Sequence, residues 1–187
     1  DDGSAEEMCV RIQGILCDKD LPPLASRPKN HQLQHVRQTV HITGLGDKTF
    51  ASAVDSIFRG QSVLSRNITD DSLEEWKPID FQGHLAIAIS NRYFVNKRYA
   101  NGAPKVPFSK LADSNGYLED CSSAEYIHTE DNEVDYYLMS DGKPFFVNPS
   151  SFRIGDIVEA CLSLVLHPVA AKKYKMFPVL RSLAIID

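Results

Sequence analysis

Asp141-Gly142 stands between two apolar-rich runs in "VDYYLMSDGKPFFVN", and no other dipeptide in the chain narrows the possible folds as much. A two-residue hairpin loop of type I′ needs positive φ at both central positions, which Asp-Gly supplies at low cost. Such a turn fixes register: Leu138 falls opposite Phe145, Tyr137 opposite Phe146, and Tyr136 opposite Val147. Strand side chains alternate, so Val134, Tyr136, Leu138, Phe145 and Val147 share one face, which is assigned to the core. Tyr137, Met139 and Phe146 share the other. They form either a second buried layer or an exposed apolar patch open to a protein partner.

The segments that follow keep the same period. In "FRIGDIVEACLSLVLHPV", Val158, Ala160, Leu162, Leu164 and Leu166 alternate onto one face, and "YKMFPVLRSLAIID" reads as a long last strand. Pro178 cannot donate to a ladder, which predicts an edge or a bulge there. Upstream, "HVRQTVHITG" and "GHLAIAISNRYFVN" read as strands, the second through Leu85, Ile87 and Ile89. Two helices are expected. In "DKTFASAVDSIFRG", Phe50, Ala53, Val54, Ile57 and Phe58 make one apolar stripe that Gly60 would end. Near the start, Ser4 and Glu7 have capping-box spacing and Met8, Ile12, Ile15 and Leu16 recur at helical intervals, which predicts a helix over residues 5–17. The fold class expected is therefore α+β. It has a mainly antiparallel sheet or small barrel in the C-terminal half and two main helices in the N-terminal half. Residues 1–30 would be a helix and a proline-rich connector, and residues 31–187 a single domain.

Of 187 residues, 43% are hydrophobic and 24% charged, as in folded soluble proteins, and the formal net charge of −5 argues against a bulk nucleic-acid binder. The charge is uneven. Between Ala112 and Ser150, nine acidic residues face Lys143 alone, whereas residues 31–111 carry ten basic and seven acidic side chains. Four cysteines without a C-x-x-C pair fit a reducing compartment, so an intracellular, nuclear or cytoplasmic location is expected. No apolar run is long enough for a membrane span.

Three readings of function compete. The first is metal chemistry. His128 and Glu130, then His167, then Arg181 follow the order of a His-x-carboxylate…His facial triad for iron, with a basic residue for a 2-oxoglutarate co-substrate. Against it, too few strands separate Glu130 from His167, the usual acid is aspartate, and Thr129-Glu130-Asp131-Asn132 is turn-forming text. No metal is therefore assigned, and iron is kept as the alternative. There is no G-x-S-x-G, P-loop, G-x-G-x-x-G or H-E-x-x-H motif. Gly44, Gly46 and Lys48 ahead of a helix offer an anion site or simply a tight turn. The second reading is recognition of single-stranded nucleic acid. "SNRYFVNKRYANGAPK" and "KKYKMFPVLR" interleave cations with aromatics, which suits phosphate tracking and base stacking on an OB-like or other small Greek-key barrel. The candidates are Arg92, Tyr93, Lys97, Arg98, Tyr99, Lys172, Lys173, Tyr174 and Lys175. The third is a protein-interaction module using Tyr137, Met139 and Phe146. Of the three, a non-catalytic binding module for single-stranded nucleic acid is preferred.

The segments Gly155-Asp-Ile-Val-Glu159, Tyr174-Lys-Met176 and Val179-Leu-Arg-Ser182, together with "HTEDNEVDYY", resemble an abundant family of short uncharacterised proteins from mushroom-forming fungi. The resemblance covers the last third of the chain. It implies a fungal, intracellular origin and a link to mobile-element or chromatin biology. It implies no activity and transfers no functional residue. The family has no fixed histidine at the place of His167, which counts against iron.

Overall fold

The computed structural model describes residues 9–29, 32–68, 72–170 and 173–186. In chain order the elements are β1 (Cys9–Asp20), β2 (Arg37–Thr43), α1 (Lys48–Leu64), β3 (Leu73–Glu74), β4 (Ile79–Phe81), β5 (His84–Arg92), β6 (Val95–Asn96), β7 (Tyr126–Ile127), β8 (Asp135–Ser140), β9 (Lys143–Phe146), β10 (Ile157–Ala170) and β11 (Lys173–Ile186).

Five strands close on themselves. β1 pairs antiparallel with β2 and β10, β2 with β5, and β10 with β11. A parallel bridge, Ser90 to Val179, joins β5 to β11 and completes the ring. Closure removes the free edges that a five-stranded sheet would otherwise expose. Inside lie Ile12, Leu16, Val40, Ile42, Ile87, Ile89, Val158, Ala160, Leu162, Leu180 and Leu183, all buried. They come from alternating positions because each stave turns one face inward. Leu85, at the start of its strand, stays exposed.

The expected two-helix α+β fold is overturned: the fold is mostly β, and α1 is the only α-helix among the described residues. Where a helix was expected over residues 5–17, Cys9 onward is the first stave, and residues 5–8, with the Ser4–Glu7 capping box, lie outside the described residues. The spacing of Ile12, Ile15 and Leu16 suits a helix as well as a strand. Pairing along both edges, which no local pattern records, decides for the strand. Residues 9–20 thus pair into the same sheet as β2 and β10.

α1 begins where expected. The Asp47 carboxylate accepts from Thr49 N at 2.8 Å and Phe50 N at 2.9 Å, taking up N–H groups that an anion would need. The turn before it needs Gly44, where a Cβ would lie 2.3 Å from Phe50 Cβ. Gly60 does not end the helix. It lets α1 lie against β10, since a Cβ there would come within 2.4 Å of Leu164 Cδ1.

β11 acts as a spine. Its second edge takes β3 at Tyr174–Lys175, β5 at Val179 and β8 at Ser182–Ile186, all parallel. Pro178 sits in the gap between the first two, where the N–H it lacks is not required on that edge. The β8–β9 hairpin has the expected register, with Asp141 at φ 50° and Gly142 at φ 71°. The expected core face holds for Tyr136 but not for Phe145, which is 54% exposed. β9 is the last strand in the sheet order, and its four residues are exposed.

Between β5 and β8 the chain leaves the barrel and builds a second apolar cluster, with Tyr93, Phe94, Leu118 and Cys121 buried around Leu33. Phe108 packs edge-on against Phe94 at 5.5 Å and stacks on the His128 ring at 3.8 Å.

Candidate nucleic-acid interface

A cleft of about 660 Å³ opens where this second unit meets the outer wall of the barrel. Its floor comes from outward-facing residues of four staves: Arg37 on β2, Ser90 and Arg92 on β5, Val165 and His167 on β10, and Phe177, Val179 and Arg181 on β11. Alternation explains the set, because their strand neighbours Gln38, Asn91, Met176 and Leu180 are buried. One rim is the loop Tyr99–Ala103 and the other is Thr129, Asp131 and Asn132.

The second rim is tied down from the barrel side. Asn91 Nδ2 donates to the Asp131 carbonyl at 2.9 Å and to that of Leu180 at 3.0 Å. Gln38 Nε2 donates to the Asn132 carbonyl at 3.1 Å, and its Oε1 accepts from the Tyr136 hydroxyl at 2.6 Å. Arg181 Nη1 donates to the Asp131 carbonyl at 2.6 Å and its Nε to Ser163 Oγ at 3.2 Å, which fixes the guanidinium across the cleft. Thr129 N and Oγ1 both reach Asn132 Oδ1 at 3.0 Å, closing the turn on itself.

The electrostatics are one-sided. Arg37, Arg92 and Arg181 share the cleft with His167. Burial first, then the Arg92 charge, lowers the Arg37 pKa; burial, Arg92 and Arg37 lower that of His167. Aromatic surface lies beside the charge: Tyr99 is 76% exposed on the rim, and Phe177 meets the His167 ring edge-on at 5.8 Å.

The candidates from sequence are scattered. Arg92 and Tyr99 line the cleft. Tyr93 does not: its ring is 1% exposed and belongs to the second cluster, so it offers no face to a base. Lys97 and Arg98 are exposed on a short 3₁₀ turn with a shallow open depression beside Glu125. Lys173 is exposed at the β10–β11 tip, and Tyr174 is half-buried against β3. Lys175 pairs with Glu74 at 3.7 Å and sits 5.9 Å from the Phe177 ring centroid. Lys172 lies outside the described residues. Arg37 and Phe177 are cleft residues that sequence reading did not name for nucleic acid, whereas Arg181 closes the "KKYKMFPVLR" stretch that it did single out. Alternation along β2 and β11, once their inner faces are known, would have placed them outward.

The residues of the iron alternative are not brought together. His128 is buried, its Nδ1 2.8 Å from the Tyr93 carbonyl, Glu130 is exposed on a turn, and His167 is in the cleft. Among the described residues no three His, Cys, Asp or Glu side chains gather as metal ligands. On the hairpin, Tyr137 and Phe146 stack on each other at 4.8 Å beside Met139, and Phe146 is 67% exposed. Among the described residues no helix is long and apolar enough to cross a membrane.

Five staves closed in the order β1-β2-β5-β11-β10 form a barrel that resembles the OB fold. A solved structure shares the fold. The gp2.5 single-stranded DNA binding protein encoded by bacteriophage T7 superposes with a TM-score of 0.50 at 10% identity, over 97% of this chain and 87% of that one. The single-stranded DNA-binding protein from bacteriophage Enc34 gives 0.48 at 11% identity as a C-terminal truncation, over 95% and 85%. In complex with single-stranded DNA the Enc34 protein gives 0.47 at 11%, over 94% and 85%. At such identities the likeness is one of fold. No family model matches the sequence, and no curated protein does.

Proposed function

We propose that this chain is a non-catalytic module that binds single-stranded nucleic acid in the cleft. The observation that carries this is the convergence of Arg37, Arg92 and Arg181 with Tyr99 and Phe177 on the outer face of an OB-type barrel. Cations follow the backbone of a strand, and aromatic faces take bases without regard to sequence. The cleft opens beside exposed Lys97 and Arg98, which extend a path for neighbouring phosphates. Support comes also from the shared fold with gp2.5, which is itself a single-stranded DNA binding protein. The net charge of −5 is no obstacle, because the cleft floor carries Arg37, Arg92 and Arg181, and of the acidic residues in 112–150 only Asp131 lines the cleft, on its rim.

Fluorescence anisotropy with a labelled oligothymidylate tests the reading. Binding that weakens steeply with salt and prefers single strands over duplex is expected. Tyr99→Ala and Phe177→Ala should each weaken it by the ~1–3 kcal/mol typical of one base–aromatic stack. Absence of binding at low salt, or equal affinity for duplex, would overturn it.

A second reading places a protein partner on the β8–β9 hairpin, because Phe145 and Phe146 stand exposed on a terminal strand. Loss of a co-purifying protein in a Phe146→Ser variant supports that reading; retention counts against it.

A further inference from the structure

Arg37 and Arg92 are direct register partners across the β2–β5 ladder. Like charges opposite one another on a sheet repel. A protein usually relieves such a pair with a carboxylate, yet among the described residues neither guanidinium takes part in an ion pair. Both are half-buried, so water screens them incompletely. His167 enters the same space from β10 and brings a third potential charge. The acid that lines the cleft, Asp131, gives its backbone carbonyl to Arg181 and is itself exposed.

We propose that Arg37, Arg92 and His167 form a seat for one phosphate group, and that the free protein carries a like-charge repulsion there which the phosphate relieves. This rests on the nucleic-acid reading of the cleft and narrows it: one backbone phosphate is held by a dedicated site, and its nucleotide points toward Phe177 and Tyr99. Two guanidiniums from register-paired positions on adjacent strands line one cleft, and their planar donor forks suit phosphate oxygens in a way that lysines would not reproduce. A neutral imidazole adds one N–H from a third strand. The repulsion follows from the register alone, and the lowered Arg37 and His167 pKa values fit the same crowding.

The test is thermal unfolding of the full chain in low-millimolar inorganic phosphate against chloride at equal ionic strength. The concentration is kept low because phosphate at high concentration stabilises proteins in general. The native protein should show a saturable rise of several degrees in Tm and a saturable ³¹P chemical-shift change. Arg92→Gln should show neither, and in phosphate-free buffer it should melt at or above the native Tm, since the repulsion is gone. Arg37→Gln is the second variant should the first fail to fold. In oligothymidylate binding, either variant should lower the salt slope by about 0.7 for the single phosphate contact removed.

No Tm or ³¹P response in the native protein, or a response equal in the variants, would overturn the seat. Oligothymidylate binding without any phosphate response would remove the seat and leave the nucleic-acid reading standing. A phosphate response without oligothymidylate binding would keep the seat and remove that reading.

Discussion

The barrel core and the smaller cluster under residues 93–128 are both apolar and closed, but they are built by different means. Hydrogen-bonded staves wall the barrel, and its buried polar side chains are used: Gln38, Asn91 and Ser163 each bond a neighbour. Turns and single residues wall the second cluster. Asp113 caps the backbone at Leu118 and Glu119, and Arg27 reaches across to the Asp120 carbonyl. Among the described residues two buried polar side-chain atoms lack a partner, the Tyr93 hydroxyl and Ser122 Oγ, and both belong to this second region. A region closed by loops, with unpaired polar groups, opens at lower free energy than one closed by ladders. The cleft lies on the seam, with its floor on the barrel and the Tyr99 rim on the looser unit. The floor can therefore hold a fixed register of cations while the rim is the more adaptable side.

The largest expected effect lies in the barrel. Leu162 is fully buried, and Leu162→Ala should cost about 2–5 kcal/mol in the global unfolding transition, read by urea denaturation. Leu118 is equally buried, but loop walls collapse more readily around a void, so Leu118→Ala should cost about 2 kcal/mol. Its signature should be local. Hydrogen exchange should speed up at residues 93–128 and stay unchanged in β1, β2 and β10. Uniform loss of protection would mean that the two regions are one cooperative unit.

What could be read from sequence follows the same divide. The β8–β9 register, the β10 alternation and the α1 cap rest on local chemistry, and the chain states them openly. β1 was misread because its strand state depends on pairing with β2 and β10, whose closest register pairs, Asp20–Thr39 and Ile15–Ile157, are 19 and 142 residues apart. The second cluster was invisible: "YANGAPKVPFSKLADSNGY" shows no period, and its core residues reach each other through turns. Of the interface, Arg92 and Tyr99 were legible because they share one basic, aromatic stretch. Arg37 sits on β2, far in sequence from Phe177 and Arg181 on β11, and only barrel closure brings the two strands to one cleft.

A smaller effect tests the orphaned hydroxyl. Tyr93 lines a void of about 50 Å³ beside His128 and Gln38, and its buried phenol has its pKa pushed up by desolvation and by Asp20 and Asp113. A buried donor without an acceptor costs free energy, so Tyr93→Phe should leave stability unchanged or raise it by about 1 kcal/mol. A loss of stability would show that the hydroxyl is satisfied after all, by water in that void, and the contrast between the regions would weaken.

The smallest effect is the response to mild acid. His128 joins the two regions: its Nδ1–H donates to the Tyr93 carbonyl, and its ring stacks on Phe108. Burial lowers its pKa. The bond to Tyr93 and the Glu119 charge oppose that shift, and Lys105 adds to it. A histidine whose folded pKa lies below its unfolded value of about 6.5 leaves the unfolded chain binding more protons, so stability falls as pH drops below about 6.5. His167 acts in the same direction from the cleft. Asp47 and Glu119, whose pKa values are lowered, lose their contributions in more acidic solution, as pH falls from the ordinary carboxylate range toward their lowered values. Urea midpoints at pH 7.0, 6.0 and 5.5 should therefore decline, each of the two histidines contributing less than the ~1.4 kcal/mol per pH unit of one full proton. In His128→Gln, which keeps a donor for the Tyr93 carbonyl, the decline should be shallower and carried by His167 alone. If the variant declined as steeply as the native chain, His128 would not be the proton-sensitive link, and the second cluster would owe its docking to the Phe108 stack and the turns around it.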